Sequence, residues 1–168
     1  MATARWIHMA QLLDDGHVLV AGGFNPADGG LASAELYNPA TGAWSPADDL
    51  DTARYVRSPV LLRDGTVLAT GGYVSGTYLS SVEKYDPASA VWSPTDSMAA
   101  VRDAHTATLL PDGSVLVAGG YSGTGAMRSA ERYGIPPHPK PGCLGTPGRV
   151  GDRRSGPVPQ LRECPPAN

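Results

Sequence analysis

Leu19-Val20-Ala21-Gly22-Gly23, Leu68-Ala69-Thr70-Gly71-Gly72 and Leu116-Val117-Ala118-Gly119-Gly120 are three versions of one phrase, a short aliphatic run closed by a glycine pair. The pairs begin at 22, 71 and 119, so the period is 49 and then 48 residues. Self-similarity at that spacing marks a stack of supersecondary units, each of which buries its apolar face against a neighbour. Arg5, Arg54 and Arg102 keep the same steps, as do Gly16, Gly65 and Gly113. Glu35, Glu83 and Glu131 recur at 48 and 48, each followed two residues later by Tyr37, Tyr85 or Tyr133. Trp44 is matched by Trp92, and there is no third Trp in that series. The one-residue slip falls between the glycine pair and the Glu, where Gly30 and its neighbours lengthen the first loop. Surface loops tolerate such insertions.

Within each unit four short β signals are bounded by turn residues, the content of a four-stranded antiparallel sheet. In the first unit they fall at about Ile7–Leu13, His17–Gly22, Ser33–Asn38 and Gly42–Ser45. Asp15-Gly16, Asp64-Gly65 and Asp112-Gly113 join the first two runs of each unit, and an Asp-Gly pair that accepts positive φ makes a tight hairpin there. Asn38-Pro39-Ala40-Thr41-Gly42 and Asp86-Pro87-Ala88-Ser89 supply the later turn, with Pro fixing φ and the short polar side chain capping the bend. The glycine pair must end the second strand where there is no room for a Cβ, or where φ exceeds zero. Tyr and Trp belong on the outer part of the sheet, because a fan of sheets is narrow at its axis and wide at its rim.

The pattern LLxDGxVLxxGG, then SxExYxPxxxxW, then RxxH, resembles the Kelch repeat of β-propellers over residues 1–133. The resemblance implies an all-β fold of about three four-stranded antiparallel blades, an open partial propeller whose third blade is incomplete. The blades are expected at about 1–49, 50–97 and 98–133. It also implies a non-catalytic module that binds protein or carbohydrate, since Kelch-like propellers serve as interaction scaffolds and carbohydrate-linked domains. The enzymatic alternative is a fragment of a carbohydrate-active Kelch propeller, galactose-oxidase-like or sialic-acid-epimerase-like, with its catalytic residues outside this chain. Galactose-oxidase-like enzymes hold copper with Tyr and His and carry a Tyr–Cys crosslink, whereas residues 1–133 contain no Cys. We therefore expect no catalytic residues, no cofactor and no metal in this chain.

Composition separates the repeats from the remainder. Residues 1–133 carry 8 Lys and Arg against 14 Asp and Glu, and residues 134–168 carry 5 against 2. An acidic body argues against nucleic acid as a partner, which needs a basic face, and no apolar run is long enough to insert into a membrane. Residues 134–168 hold nine of the 16 prolines and both cysteines without apolar periodicity, and read as a Pro/Gly-rich disordered tail. Cys143 and Cys164 read as incidental thiols. Where Asp-Pro and then Trp should follow Tyr133, the chain has Gly134-Ile135-Pro136-Pro137. Codons GGG-ATC for Gly134 and Ile135, read two nucleotides later, would restore Asp-Pro, so the tail is a candidate for out-of-frame translation that the coding DNA decides. Met1-Ala2-Thr3-Ala4-Arg5 has no apolar leader stretch and aligns with Met98-Ala99-Ala100-Val101-Arg102 inside the repeat, so no signal peptide is expected here.

A residue that recurs in every blade is expected to serve structure, and a site for one ligand is expected to break the symmetry. One Arg and one Glu per blade therefore read as a repeated buried ion pair or inter-blade clamp rather than as acid/base machinery. His8 and His105 are equivalent, with Arg57 between them in the series, and read as hydrogen-bonding residues at a strand start. The variable segments are Phe24–Asp28, Tyr73–Tyr78 and Tyr121–Thr124, with Trp6, Tyr55, Arg57 and Asp103. In an up-and-down blade these emerge on one face, opposite the Asp-Gly turns. The binding candidates are Trp6, Phe24, Asn25, Tyr55, Arg57, Tyr73, Tyr78, Asp103 and Tyr121, because flat amphipathic rings give contact area at low entropic cost. Propellers close with about four to eight blades. Open blade edges at both ends are expected to promote self-association.

Overall fold

The computed structural model describes residues 1–56 and 58–134. The tail expected over 134–168, apart from Gly134, and the candidate Arg57 lie outside the described residues. Among those residues there are strands and no helix, and therefore no helix long and apolar enough to cross a membrane.

Blade 1 is the sheet β1 (Met9–Leu12), β2 (Val18–Ala21), β5 (Ala34–Asn38), β6 (Ala43–Ala47), with the two-residue hairpin β3 (Phe24–Asn25) and β4 (Gly29–Gly30) inserted between its second and third strands. Blade 2 repeats the plan with β7 (Val60–Leu61), β8 (Val67–Thr70), β11 (Val82–Asp86) and β12 (Val91–Thr95), and its inserted hairpin is β9 (Tyr73–Val74) with β10 (Thr77–Tyr78). Blade 3 has β13 (Thr106–Leu109), β14 (Val115–Ala118) and β15 (Ala130–Tyr133). Every pairing is antiparallel, so each sheet is a meander.

The Asp-Gly pairs make tight hairpins with three-residue loops. Gly16 N donates to Leu13 O at 3.0 Å and Leu13 N to His17 O at 2.8 Å, which closes a three-residue loop with only Gly16 at positive φ. Asp15 keeps an ordinary backbone, and its carboxylate accepts the His17 N–H at 2.9 Å. The same bonds recur around Gly65 and Gly113.

Register sorts side chains onto two faces of each sheet. The face toward the preceding blade, the leading face, carries Val67, Tyr85 and Trp92 in one cross-strand row of blade 2. These side chains pack with Met9, Leu19 and Ala34 from the opposite, trailing face of blade 1 in one buried cluster. A second cluster joins Val60, Leu68 and Val82, on the trailing face of blade 2, to Val115, Val117 and Tyr133 on the leading face of blade 3. The expected Tyr–Trp rim pair is present, with ring centroids 5.0 Å apart for Tyr37–Trp44 and 5.2 Å for Tyr85–Trp92. Blade 3 has no such Trp, and Thr95 on β12 hydrogen-bonds the Tyr133 hydroxyl at 2.8 Å instead.

The repeated Arg and Glu form the seam between blades. Arg54 is fully buried, and its guanidinium donates to Gly71 O, Ser81 O, Ser81 Oγ and, at 2.6 Å, to Glu83 Oε1. Its own carbonyl accepts the N–H of Gly23 from blade 1 at 2.9 Å. Arg102 does the same one blade later, with Gly72 N as the donor to its carbonyl and Glu131 as its side-chain partner. Each Glu also accepts backbone N–H groups from the segment leading into its blade: Ala2 and Thr3 for Glu35, Asp51 and Thr52 for Glu83. Each Arg thus fastens the entry of its blade to its own sheet, and Arg54 and Arg102 also fasten it to the blade before.

The glycine pair satisfies both of the reasons expected for it. Gly22 and Gly23 have φ of 67° and 97°, and a Cβ on Gly22 would lie 2.6 Å from the Arg54 carbonyl oxygen of the next blade. On Gly23 it would lie 2.8 Å from the Trp6 carbonyl oxygen of its own blade. Two glycines are required because two backbones pass the end of β2, one from each side.

Candidate functional site

At the end of each second strand the chain turns past the glycine pair and meets the segment entering its own blade. There a single reciprocal pair of backbone hydrogen bonds forms: Trp6 with Phe24 at 3.0 and 2.9 Å, Tyr55 with Tyr73 at 2.8 and 3.2 Å, Asp103 with Tyr121 at 3.0 and 2.8 Å. The bond is the same in all three blades while the side chains it presents are not. Sequence equivalence alone does not show this pairing, because the entering segment and the loop lie about eighteen residues apart in each unit.

The rings carried there touch in series across the three blades. Trp6 meets Phe24 edge-on at 5.6 Å between centroids, and Phe24 meets Tyr55 edge-on at 5.5 Å. Tyr55–Tyr73, Tyr73–Tyr78 and Tyr78–Tyr121 follow at 5.7, 4.9 and 5.7 Å. Six of the nine candidate residues therefore form one continuous aromatic ladder, in the edge-on and tilted arrangements that ring quadrupoles favour. Trp6 is 56 % exposed and Tyr121 41 % exposed at its two ends, and the four rings between them are partly buried.

Three candidates stand otherwise. The Asn25 side chain is 7 % exposed and is tied to Asp28, accepting the Asp28 N–H at 2.6 Å and donating to its carboxylate at 2.8 Å. It shapes the β3–β4 hairpin. Asp103 is half-buried beside the ladder, held by its backbone to Tyr121. Arg57 falls outside the described residues. Partial desolvation, with Tyr121, Tyr73 and Asp103 near by, holds the Tyr78 hydroxyl above the ordinary tyrosine value.

Two glycines outside the candidate set form the floor of the ladder. A Cβ on Gly123 would come within 2.9 Å of the Tyr78 ring, and one on Gly30 within 2.4 Å of Val74 Cγ2 and 3.3 Å of the Tyr55 ring. The loop of one blade thus lies flat under an aromatic from its neighbour. In the sequence Gly30 and Gly123 stand out only as glycines of the variable loops, and the close approach of a neighbouring blade's side chain to each is a product of stacking.

His8 and His105 lie behind this face. The His105 imidazole is buried, with Nε2 2.8 Å from Thr70 Oγ1 across the blade 2–3 seam, and its carbonyl accepts from Ser58 Oγ at 2.8 Å. Desolvation first, and the neighbouring Arg102 charge second, keep His105 below the ordinary 6.5.

Antiparallel four-stranded meanders stacked leading face on trailing face, each closed by a glycine pair at a backbone crossing, define a protein built of propeller blades. The family described as the Kelch motif matches residues 13–50 and 54–99, half of the 168 residues, and the chain belongs to the Kelch-repeat family. No curated protein matches it. The match covers blade 1 from Leu13 onward and blade 2; beyond it, blade 3 repeats the Arg–Glu pair and, at Gly120, the crossing with its own entering segment. Kelch repeats generally mediate protein binding as a propeller scaffold.

Proposed function

We propose that the chain is a non-catalytic, protein-binding module whose contact surface is the aromatic ladder. The observation that carries this reading is the continuity of the ladder. Six rings from three blades touch in series on the face where the sequence departs from its own repeat. Packing within a blade does not require contact between rings of different blades. Tyr and Trp with partly exposed rings supply contact area with few rotamers to freeze, and such residues dominate the energetics of protein interfaces. Asp103 and the acidic body favour a partner segment carrying Lys or Arg, which can pair with the carboxylate and sit over a ring face.

A displayed random-peptide library selected on the 168-residue chain tests this. Ligands are expected to contain Lys or Arg and to lose at least about tenfold in affinity on the Tyr73→Ala/Tyr78→Ala chain. Trp6→Ala and Tyr121→Ala, at the exposed ends, are expected to weaken binding while leaving the circular dichroism spectrum unchanged. Ligands that bind all four chains equally would remove the ladder from the site. Enrichment on a glycan array, with no peptide selected, would replace the protein ligand by a carbohydrate.

A further inference from the structure

Among the described residues, blade 1 carries a complete set of inter-blade packing residues on a face that meets no other blade. Leu12, Val18, Tyr37 and Trp44 form one cross-strand row on its leading face. The equivalent row in blade 2 is Leu61, Val67, Tyr85 and Trp92, and there the last three are buried to 0, 1 and 4 % exposure beneath blade 1. In blade 1, Leu12 stands 59 % exposed and Trp44 37 % exposed. The opposite end shows the complementary vacancy. Leu19 and Leu68 are buried to 0 and 1 % on the trailing faces of blades 1 and 2, and Leu116, the same position in blade 3, is 37 % exposed. A Cβ on Gly119 would find only the Met127 carbonyl oxygen, at 3.6 Å, where Gly22 and Gly71 would strike the backbone of a following blade.

Both seams inside the chain are built one way, trailing face of one blade on leading face of the next. We infer that a second copy of this chain covers these faces head to tail, the leading face of its blade 1 seated on the trailing face of blade 3. The contact continues the existing seam: Val18, Tyr37 and Trp44 take the places that Val67, Tyr85 and Trp92 hold inside the molecule. It is heterologous, because the two surfaces differ, and such contacts either close into a ring or propagate. The described residues of two copies bring six blade sheets, a number within the four to eight that a propeller closes with, and in the inferred pair two such contacts close the ring. Continuing the seam would set Tyr121 against Trp6 of the second copy, as Phe24 stands against Tyr55 inside the chain, and the inference rests on the end faces of the blades rather than on the reading given for the ladder.

Sedimentation velocity on the 168-residue chain and two variants decides the matter. Wild type is expected at twice the 17.4 kDa chain mass. Trp44→Arg, on the leading face, and Leu116→Arg, which places a second cation beside Arg132, are each expected at the mass of one chain. Mixed in equal amounts they are expected to re-form a two-chain species, because each supplies the face the other has lost. Unchanged circular dichroism shows that both still fold. A wild-type monomer at tens of micromolar, a Leu116→Arg variant that still pairs as a symmetric leading-face dimer would, or a mixture that stays single-chain would each overturn the proposal.

Discussion

Arg54 shows what a buried charge contributes in this molecule. Its guanidinium is sealed between two blades with every contact made to a carbonyl, a hydroxyl or Glu83. Removing one member of such a pair leaves the other charged and dry, at a cost of about 3–5 kcal/mol. Arg132 and Asp112 also form an ion pair, but both side chains are more than half exposed, and such pairs are worth about 0–1 kcal/mol. Arg54→Met is therefore expected to lower the urea midpoint severely and Arg132→Met hardly at all; equal shifts would refute the clamp. Two histidines and a glutamate near the seams share one direction. His105 and His8 lie below 6.5 through burial. Burial alone would raise Glu35, yet the N–H groups of Ala2 and Thr3 and the Arg5 guanidinium outweigh it and hold the carboxyl below 4.5. A group whose folded pKa is lowered binds fewer protons folded than unfolded. Its contribution is whole above the unfolded value and is lost as pH falls through the folded one. Stability should thus decline below pH 6.5 as His8 and His105 are forced to charge, and further below 4.5. Denaturation at pH 7.5 and 5.5 checks this, and His105→Asn should narrow the difference.

The end of each second strand is where the blade becomes part of a stack. Gly71 and Gly119 have φ of 56° and 67°, so a Cβ is strained at both by about 1–2 kcal/mol. Only Gly71 faces a following blade, where the Cβ would lie 2.5 Å from the Arg102 carbonyl oxygen. Gly71→Ala should therefore cost about 1–3 kcal/mol more than Gly119→Ala, the usual cost of overpacking, as read from chemical denaturation of the two variants. Much of this element scale was legible in the sequence, because repetition at fixed steps exposes whichever residues the architecture reuses. Three glycine pairs, three Arg and three Glu announced four-stranded units and a structural ion pair. What repetition cannot show is which blade supplies each neighbour. The Gly23 N–H is bonded to Arg54, thirty-one residues ahead. The ladder was legible only as separate rings. Its continuity depends on Phe24 reaching Tyr55 and Tyr78 reaching Tyr121 between blades, and no local pattern encodes a contact made by stacking. Asn25, placed with the binding residues for its polarity, belongs to its own hairpin through Asp28.

A stack of repeats has a stability close to the sum of its units and the seams between them. The described residues contain three blade sheets and two seams, and the outer faces of blades 1 and 3 differ from the seam faces in exposure. The same residue type makes the comparison direct. Trp92 lies inside a seam at 4 % exposure, and Trp44 occupies the identical position on an end face at 37 %. Trp92→Ala empties a packed site and is expected to cost about 3–5 kcal/mol at every protein concentration. Trp44→Ala in dilute solution opens no cavity and should cost well under half as much. If a second copy seats on blade 1, the folded state is the one that associates, and association raises apparent stability by mass action. The wild-type Tm is then expected to climb as protein concentration is raised about a hundredfold, while that of Trp44→Ala stays flat. The gap between the two chains should widen steadily along the series. Thermal melts at four or five concentrations measure it, and a wild-type Tm independent of concentration would mean that the end faces remain bare and each chain stands on its two internal seams alone.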